Sequence, residues 1–194
     1  VNNISLTSGS TYDSMTDVPT NTSATVANYA VLNPLDKSGT SYIPTISNGN
    51  LSFAAGSAGQ FSPCRGTQFV SSGKWYFEVT ITNNGTFSGQ VGVANNYNIY
   101  QSGGDNSISS SGGVGVAWDG RGFLYYTGNS VAFTPTFTTN DVISCAFDAD
   151  TGKTWFRKNG GSWYDSSGGT TGDPATGANA VYTYTAGTSV ASFA

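Results

Sequence analysis

The sequence of 194 residues contains no histidine, one methionine, two cysteines and a single glutamate, Glu78, and only 9% of its residues are charged. Each shortage removes a class of function. Without histidine there is no Ser-His-Asp or Cys-His nucleophile system and most zinc-site chemistry is excluded. Cys64 and Cys145 alone cannot close a structural zinc cluster. Two-carboxylate glycoside hydrolysis would have to recruit a distant aspartate, because Tyr76 and Thr80, the same-face neighbours of Glu78, are not acidic. Seven lysines and arginines against eleven acids, a net charge of −4 and a pI near 4.4 argue against nucleic acid as a partner, since phosphate contacts need clustered cations. No apolar run approaches the roughly 20 residues of a membrane-spanning helix, so membrane insertion is not expected.

What replaces charge is small and polar. Glycine contributes 26 residues, and serine, threonine and asparagine are abundant. That composition disfavours helices and suits short strands with frequent turns. Aromatic residues make up 13% of the chain, enough bulk for a packed core. The chain begins at Val1 without a signal-peptide pattern, which is the expectation for a processed or excised piece of a larger protein.

Residues 1–27 show no sustained period and read as an extended arm or linker; residues 28–194 read as one all-β domain. The first apolar cluster runs from Tyr29 to Leu35, and Pro34 forbids a central strand beyond Asn33. Asn48-Gly49 turns into Leu51-Ser52-Phe53. In Lys74–Thr82 the residues Trp75, Phe77, Val79 and Ile81 alternate with Tyr76, Glu78, Thr80 and Thr82, which is a strand with one buried face. Gln90–Ala94 and Gly113–Asp119 share a Val-Gly-Val-Ala pattern and read as neighbouring strands of one sheet. Phe123–Tyr126, Val131–Phe133, Val181–Tyr184 and Ser189–Phe193 follow. About ten short strands punctuated by turns predict a two-sheet antiparallel sandwich.

Asn140–Gly161 reads as a framework hairpin. Ile143, Cys145 and Phe147 face the core, Trp155 and Phe156 add bulk, and Asn159-Gly160 requires positive φ. Cys64 falls in a Ser-Pro-Cys-Arg turn, and two free thiols are expected. Asp148-Ala149-Asp150-Thr151-Gly152 resembles the start of a calcium loop but lacks its later ligands and closing glutamate. The expected role is a hairpin turn in which aspartates accept backbone N–H bonds. Asp148 and Asp150 are therefore only weak metal candidates, and no metal or cofactor is expected. Asn3, Asn21 and Asn84 open glycosylation sequons, which a chain this rich in asparagine, serine and threonine contains by chance.

Two loops exceed simple connections, 95–112 and 162–179. Their tyrosine, serine, glycine and asparagine content is that of antibody-type paratopes, where aromatics supply rigid contact area. Tyr97, Tyr100 and Asp105 in the first, with Trp163, Tyr164 and Asp165 in the second, are the candidate contact residues. Aromatic faces also stack on sugar rings, so a glycan or a protein would fit. The competing role is that Tyr97, Tyr100 and Trp163 pack down as caps on the core.

Four ordered segments, Gly73-Lys74-Trp75-Tyr76-Phe77-Glu78-Val79, Val91-Gly92-Val93-Ala94, Asp141–Asp148 and Trp155-Phe156 with Asn159-Gly160, resemble the SPRY domain family over residues 49–193. The resemblance implies an all-β, concanavalin-A-like, jelly-roll-type antiparallel β-sandwich that binds partners through loops at one end and is not an enzyme. Asn33-Pro34-Leu35-Asp36, Ser47-Asn48-Gly49-Asn50-Leu51 and Gly172-Asp173-Pro174-Ala175-Thr176-Gly177 are similar to SPRY-containing virion proteins of bacteriophages. The implied setting is a phage particle, as a tail fibre or surface protein. Implied partners are other virion proteins, a host cell-surface glycan or protein, and further copies of the chain. The alternatives are a purely structural capsid or tail assembly module and a glycan-active enzyme on a related sandwich. SPRY domains usually end on an Asn-Phe-Gly-like element, whereas this chain stops at Ser192-Phe193-Ala194.

Overall fold

The computed structural model describes residues 21–23, 26–27, 30–37, 42–56, 62–85, 89–95, 114–126 and 129–193. The chain divides into two compact units, Val1–Ala30 and Val31–Ala194. In the first, β1 (Asn21–Ser23) and β2 (Val26–Ala27) pair antiparallel. Everything below concerns the second unit, where every regular element among the described residues is a strand.

Those strands are β3 (Leu32–Lys37), β4 (Thr45–Ser47), β5 (Ser52–Ala54), β6 (Cys64–Gly66), β7 (Lys74–Thr80), β8 (Gln90–Asn95) and β9 (Gly115–Asp119). They continue with β10 (Phe123–Tyr126), β11 (Asn129–Ala132), β12 (Val142–Asp148), β13 (Lys153–Lys158), β14 (Tyr182–Thr183) and β15 (Val190–Phe193). A seven-stranded sheet has the order β11-β10-β9-β8-β15-β6-β3, a four-stranded sheet the order β14-β13-β12-β7, and β4-β5 form a separate hairpin. All pairings are antiparallel.

Two turns behave as their sequences require. Asn48-Gly49, between β4 and β5, has φ of 54° and 62°, and Asn159-Gly160, after β13, has 53° and 67°. Pro34 lies within a strand, but that strand is β3 at the sheet edge, where its pairing with β6 is irregular and a missing N–H is tolerated. The two Val-Gly-Val-Ala segments are indeed neighbours, β8 against β9. A Cβ at Gly92 would strike the Val116 carbonyl, and one at Gly115 the Val93 carbonyl, so close backbone approach explains these glycines.

The core joins the two large sheets. Val91, Val93, Val116, Trp118 and Leu124 from one meet Ile143, Cys145, Phe147 and Phe156 from the other. Trp118 is its hub, fully buried, with Phe133, Phe137, Phe156 and Tyr164 at centroid distances of 5.7, 5.0, 6.0 and 5.5 Å. Its indole N–H donates to the Pro135 carbonyl at 3.0 Å, so the polar tip of a buried tryptophan is satisfied. The pairs with Phe133, Phe137 and Tyr164 are edge-on, and pairs of this kind add about 0.5–1.5 kcal/mol each beyond the area they bury.

Two sequence expectations need correction. Cys64 is not in a turn but in β6, buried, its thiol donating to the Asn33 carbonyl at 3.5 Å. Both cysteines are free and buried. Trp155 does not share the core with Phe156, because successive side chains of a strand take opposite faces. It lies opposite Ala146 on the face turned away from the core, and is still buried, for a reason that defines the site below.

Candidate functional site

The outward face of the four-stranded sheet is set by register. Ser144 sits between Glu78 on β7 and Arg157 on β13, and Ala146 sits between Tyr76 and Trp155. After β13 the chain doubles back over this face. Trp163 bridges to Gly172 and Asp173 to Ala178, giving the segment 163–178 a ladder of its own. The Trp155 indole donates to the Ala178 carbonyl at 2.8 Å and the Lys153 ammonium to the Gly177 carbonyl at 2.7 Å. The loop is thus the lid under which Trp155 is buried.

Two aspartates hold that lid in shape. Asp165 accepts the Ser167 hydroxyl at 2.6 Å, the Thr171 hydroxyl at 2.6 Å and the Ser167 and Gly169 amides at 2.9 and 3.0 Å. The Ser167 hydroxyl first, then that of Thr171, keep its carboxyl far below the usual range. Asp173 accepts the Thr176 hydroxyl at 2.7 Å and the Ala175 and Thr176 amides at 2.9 and 3.3 Å. Its carboxyl is likewise lowered, chiefly by that hydroxyl.

Where the lid begins, Trp163 meets a polar cluster. The Arg157 guanidinium carbon lies 4.6 Å from the Trp163 ring centroid and 5.8 Å from that of Tyr76, and the two rings meet edge to face at 6.3 Å. Arg157 Nη2 donates to the Tyr76 hydroxyl at 3.1 Å and Nε to the Ser144 hydroxyl at 3.3 Å. Glu78 Oε1 accepts from Tyr76 and, at 3.1 Å, from Ser144. The Tyr76 hydroxyl, then that of Ser144, hold the Glu78 carboxyl below its ordinary value, with the Arg157 charge acting in the same sense. A glycosidase acid needs the opposite shift, a carboxyl kept protonated near neutrality.

Tyr76 is 50% exposed, so this is a presented surface with its side chains already fixed. Beside it a small open cleft of about 40 Å³ is lined by Lys74, Trp75, Ala146, Phe147, Asp148, Trp155 and Pro174. Small-molecule pockets run from about 300 Å³ upward, so this cleft is too small to be one.

The six sequence candidates separate. Trp163 is a half-exposed member of the cluster. Tyr164 points the other way, 5.5 Å from Trp118 and 5.9 Å from Phe133, and packs against the core. Asp165 spends its oxygens on its own loop. Tyr97, Tyr100 and Asp105 lie outside the described residues. Of the weak metal pair, Asp148 accepts the Asp150 and Thr151 amides at 3.0 and 3.3 Å, which is the turn chemistry its sequence predicts. Tyr76, Ser144 and Arg157 were not singled out from sequence. The signal was there in the strand alternation, which puts Arg157 on the face opposite Phe156 and level with Glu78.

The SPRY domain family matches residues 74–182, more than half of the chain, and the chain belongs to that family. The SPRY domain of human HERC1 superposes with a TM-score of 0.57 at 15% identity, covering 84% of this chain and 87% of that one. The PSpry domain of TRIM65 does so at 0.55 and 14%, covering 86% and 83%. At these identities the likeness is one of fold. No curated protein matches the sequence. The SPRY domain is a protein-interaction module and not an enzyme as a class.

Proposed function

We propose that this chain is a non-catalytic binding module of a bacteriophage particle, one that contacts a host-surface protein or glycan, or another virion protein, through the face around Trp163. The observation that carries the binding part is the Arg157 guanidinium clamped between two aromatic rings at a half-exposed position. A preset aromatic and cationic surface of this kind is what interface hot spots are made of, since tyrosine, tryptophan and arginine dominate them. The flat aromatic face of Trp163 would also accept a sugar ring. The phage setting rests on the three sequence segments described above, two of which, Asn33–Asp36 and Gly172–Gly177, fall in β3 and in the lid.

The test is binding of the chain to a glycan array and to host-envelope proteins, with Trp163→Ala beside it. The expected result is selective binding that Trp163→Ala weakens about tenfold, the scale of one hot-spot side chain, with a melting temperature lowered by no more than about 4 °C, the cost of the lost contact with Arg157. A chain that binds no glycan or envelope protein but co-assembles with phage structural proteins is an assembly module instead. A Trp163→Ala variant that binds as the parent does removes this face from the interaction.

A further inference from the structure

The long strand β7 ends its sheet: among the described residues it pairs with β12 on one side and with no strand on the other. Which of its backbone groups face the open side follows from its flanks. The Gly73 carbonyl accepts the Ala149 amide at 2.9 Å and the Ile81 amide donates to the Asp141 carbonyl at 2.9 Å. In an antiparallel ladder the residues bonded to one neighbour alternate. Positions 73, 75, 77, 79 and 81 therefore bond β12, and Lys74, Tyr76, Glu78 and Thr80 turn N–H and C=O outward.

Among the described residues, outward charges at Lys74 and Glu78 are the only devices that blunt this edge. Natural edge strands are blunted by proline, bulges or inward charges, whereas Lys74–Thr80 keeps an unbroken register with β12 and places Trp75, Phe77 and Val79 inward. Those three remain partly exposed, while their core-facing partners Phe147, Cys145 and Ile143 are 5%, 0% and 0% exposed. One more strand on this edge would cover that row.

We propose that the strand is β7 of a second copy of this chain, paired antiparallel about a twofold axis at Phe77. The sequence is self-complementary in that register. Lys74 faces Thr80 of the second copy, Trp75 faces Val79, Tyr76 faces Glu78 and Phe77 faces itself, so apolar residues meet on the core side and no like charges meet on the other. The outward-bonding positions pair with one another, 74 with 80 and 76 with 78, as a ladder requires. An axis at Glu78 would set two carboxylates about 5 Å apart. An axis at Tyr76 would shorten the overlap to Lys74–Glu78. The four-stranded sheets of the two copies then join into one continuous sheet.

The experiment is sedimentation equilibrium of the full chain from micromolar to millimolar concentration, combined with residue-resolved amide exchange. A dimer is expected whose formation protects the Tyr76 and Glu78 amides, with those of Phe77 and Val79 already protected in the monomer. Glu78→Pro removes one outward N–H and the side-chain bond from Ser144, leaves the backbone bonds to β12, and should weaken the dimer about tenfold or more. Oxidation should cross-link Phe77→Cys across the axis and leave Tyr76→Cys and Glu78→Cys without a cross-link, because only the pair on the axis meets disulfide geometry. A monomer at every concentration overturns the proposal, including one whose Tyr76 and Glu78 amides become protected only when a different protein is added. A dimer without concentration-dependent protection at those amides overturns it as well, whatever the cysteine variants do.

Discussion

The Arg157 guanidinium stacks on the Trp163 indole, 4.6 Å from its centroid, and this contact joins the last strand of a hairpin to the first residue of the lid that covers it. Strand and loop residues are thereby fixed in one surface, which is how a loop of glycine, serine and threonine comes to present an ordered face.

Replacing Arg157 by lysine should expose what the planar group contributes. Lysine keeps the charge but cannot lie flat on Trp163 while donating to both the Tyr76 and Ser144 hydroxyls. At a half-exposed site the stacking is worth about 0.5–1 kcal/mol. Urea unfolding of Arg157→Lys should show a loss of that order. A loss near zero would mean that the guanidinium is not held.

Trp155 tests the lid from beneath. In Trp155→Phe most of the ring remains, but the bond to the Ala178 carbonyl is lost and that carbonyl is left beneath the loop. The expected cost is about 1–3 kcal/mol, together with faster amide exchange over residues 172–179 and unchanged exchange in β8 and β9. Trp118→Ala should differ in kind. It empties the hub of the core, costs about 3–5 kcal/mol and raises exchange throughout both sheets.

Much of this architecture was legible because strands have a period of two. Trp75, Phe77, Ile143, Cys145 and Phe147 fall on the core face that their alternation assigns, and Asn159-Gly160 makes the turn that its chemistry demands. Trp155 misled because bulk was equated with core. Alternation placed it outward, and only the return of residues 163–178 over the sheet, a tertiary event, buries it. Tyr164 and Asp165 misled for a related reason. Composition marks a loop as contact-rich but not which side chains point inward or close on their own amides. Arg157 escaped notice because its significance lies in register across three strands, and no local window contains Tyr76, Ser144 and Trp163 together.

The ion pair between Arg65 and Asp36 carries more stability than its single charge suggests. Arg65, on β6, donates Nε and Nη2 to the two oxygens of Asp36 at 2.8 and 2.6 Å and Nη1 to the Asn95 carbonyl, tying β6 to its neighbour β3 and, across β15, to β8. The arginine and aspartate side chains are only 6% and 19% exposed. Arg65→Ala would remove both charge-assisted bonds to a largely buried carboxylate and should cost about 3–5 kcal/mol. Arg65→Lys should recover little of it, since one ammonium cannot span both oxygens. Chemical denaturation of the two variants checks this, and a full rescue by lysine would show that charge alone is what β3 needs.

The pH profile of stability should be flat where most proteins titrate. There is no histidine, so no side chain has its ordinary pKa between pH 5 and 8. The acid limb comes from carboxylates held low in the folded state. For Asp165 and Asp173 the main cause is a hydroxyl, from Ser167 and Thr176 respectively, and for Glu78 it is Tyr76. In Asp141 burial pushes upward but is outweighed by Asn159, the Thr138 amide and Lys158. A depressed folded pKa contributes stability that is present above the unfolded value, about 4, and is lost as pH falls through the folded one. The melting temperature should therefore hold from pH 8 to about 5 and decline below about 4. The alkaline limb has the opposite sign. Burial pushes the Cys64 thiol up to about 11 and that of Cys145 well above its ordinary value. Neutral thiols thus stabilise the fold below about 8.5, their unfolded pKa, and that contribution is lost as pH rises toward the folded values. Melting curves from pH 2 to 11 test both limbs, and Asp165→Asn should flatten the first of them. A transition centred between pH 5 and 8 would contradict the scheme, because no described side chain supplies it.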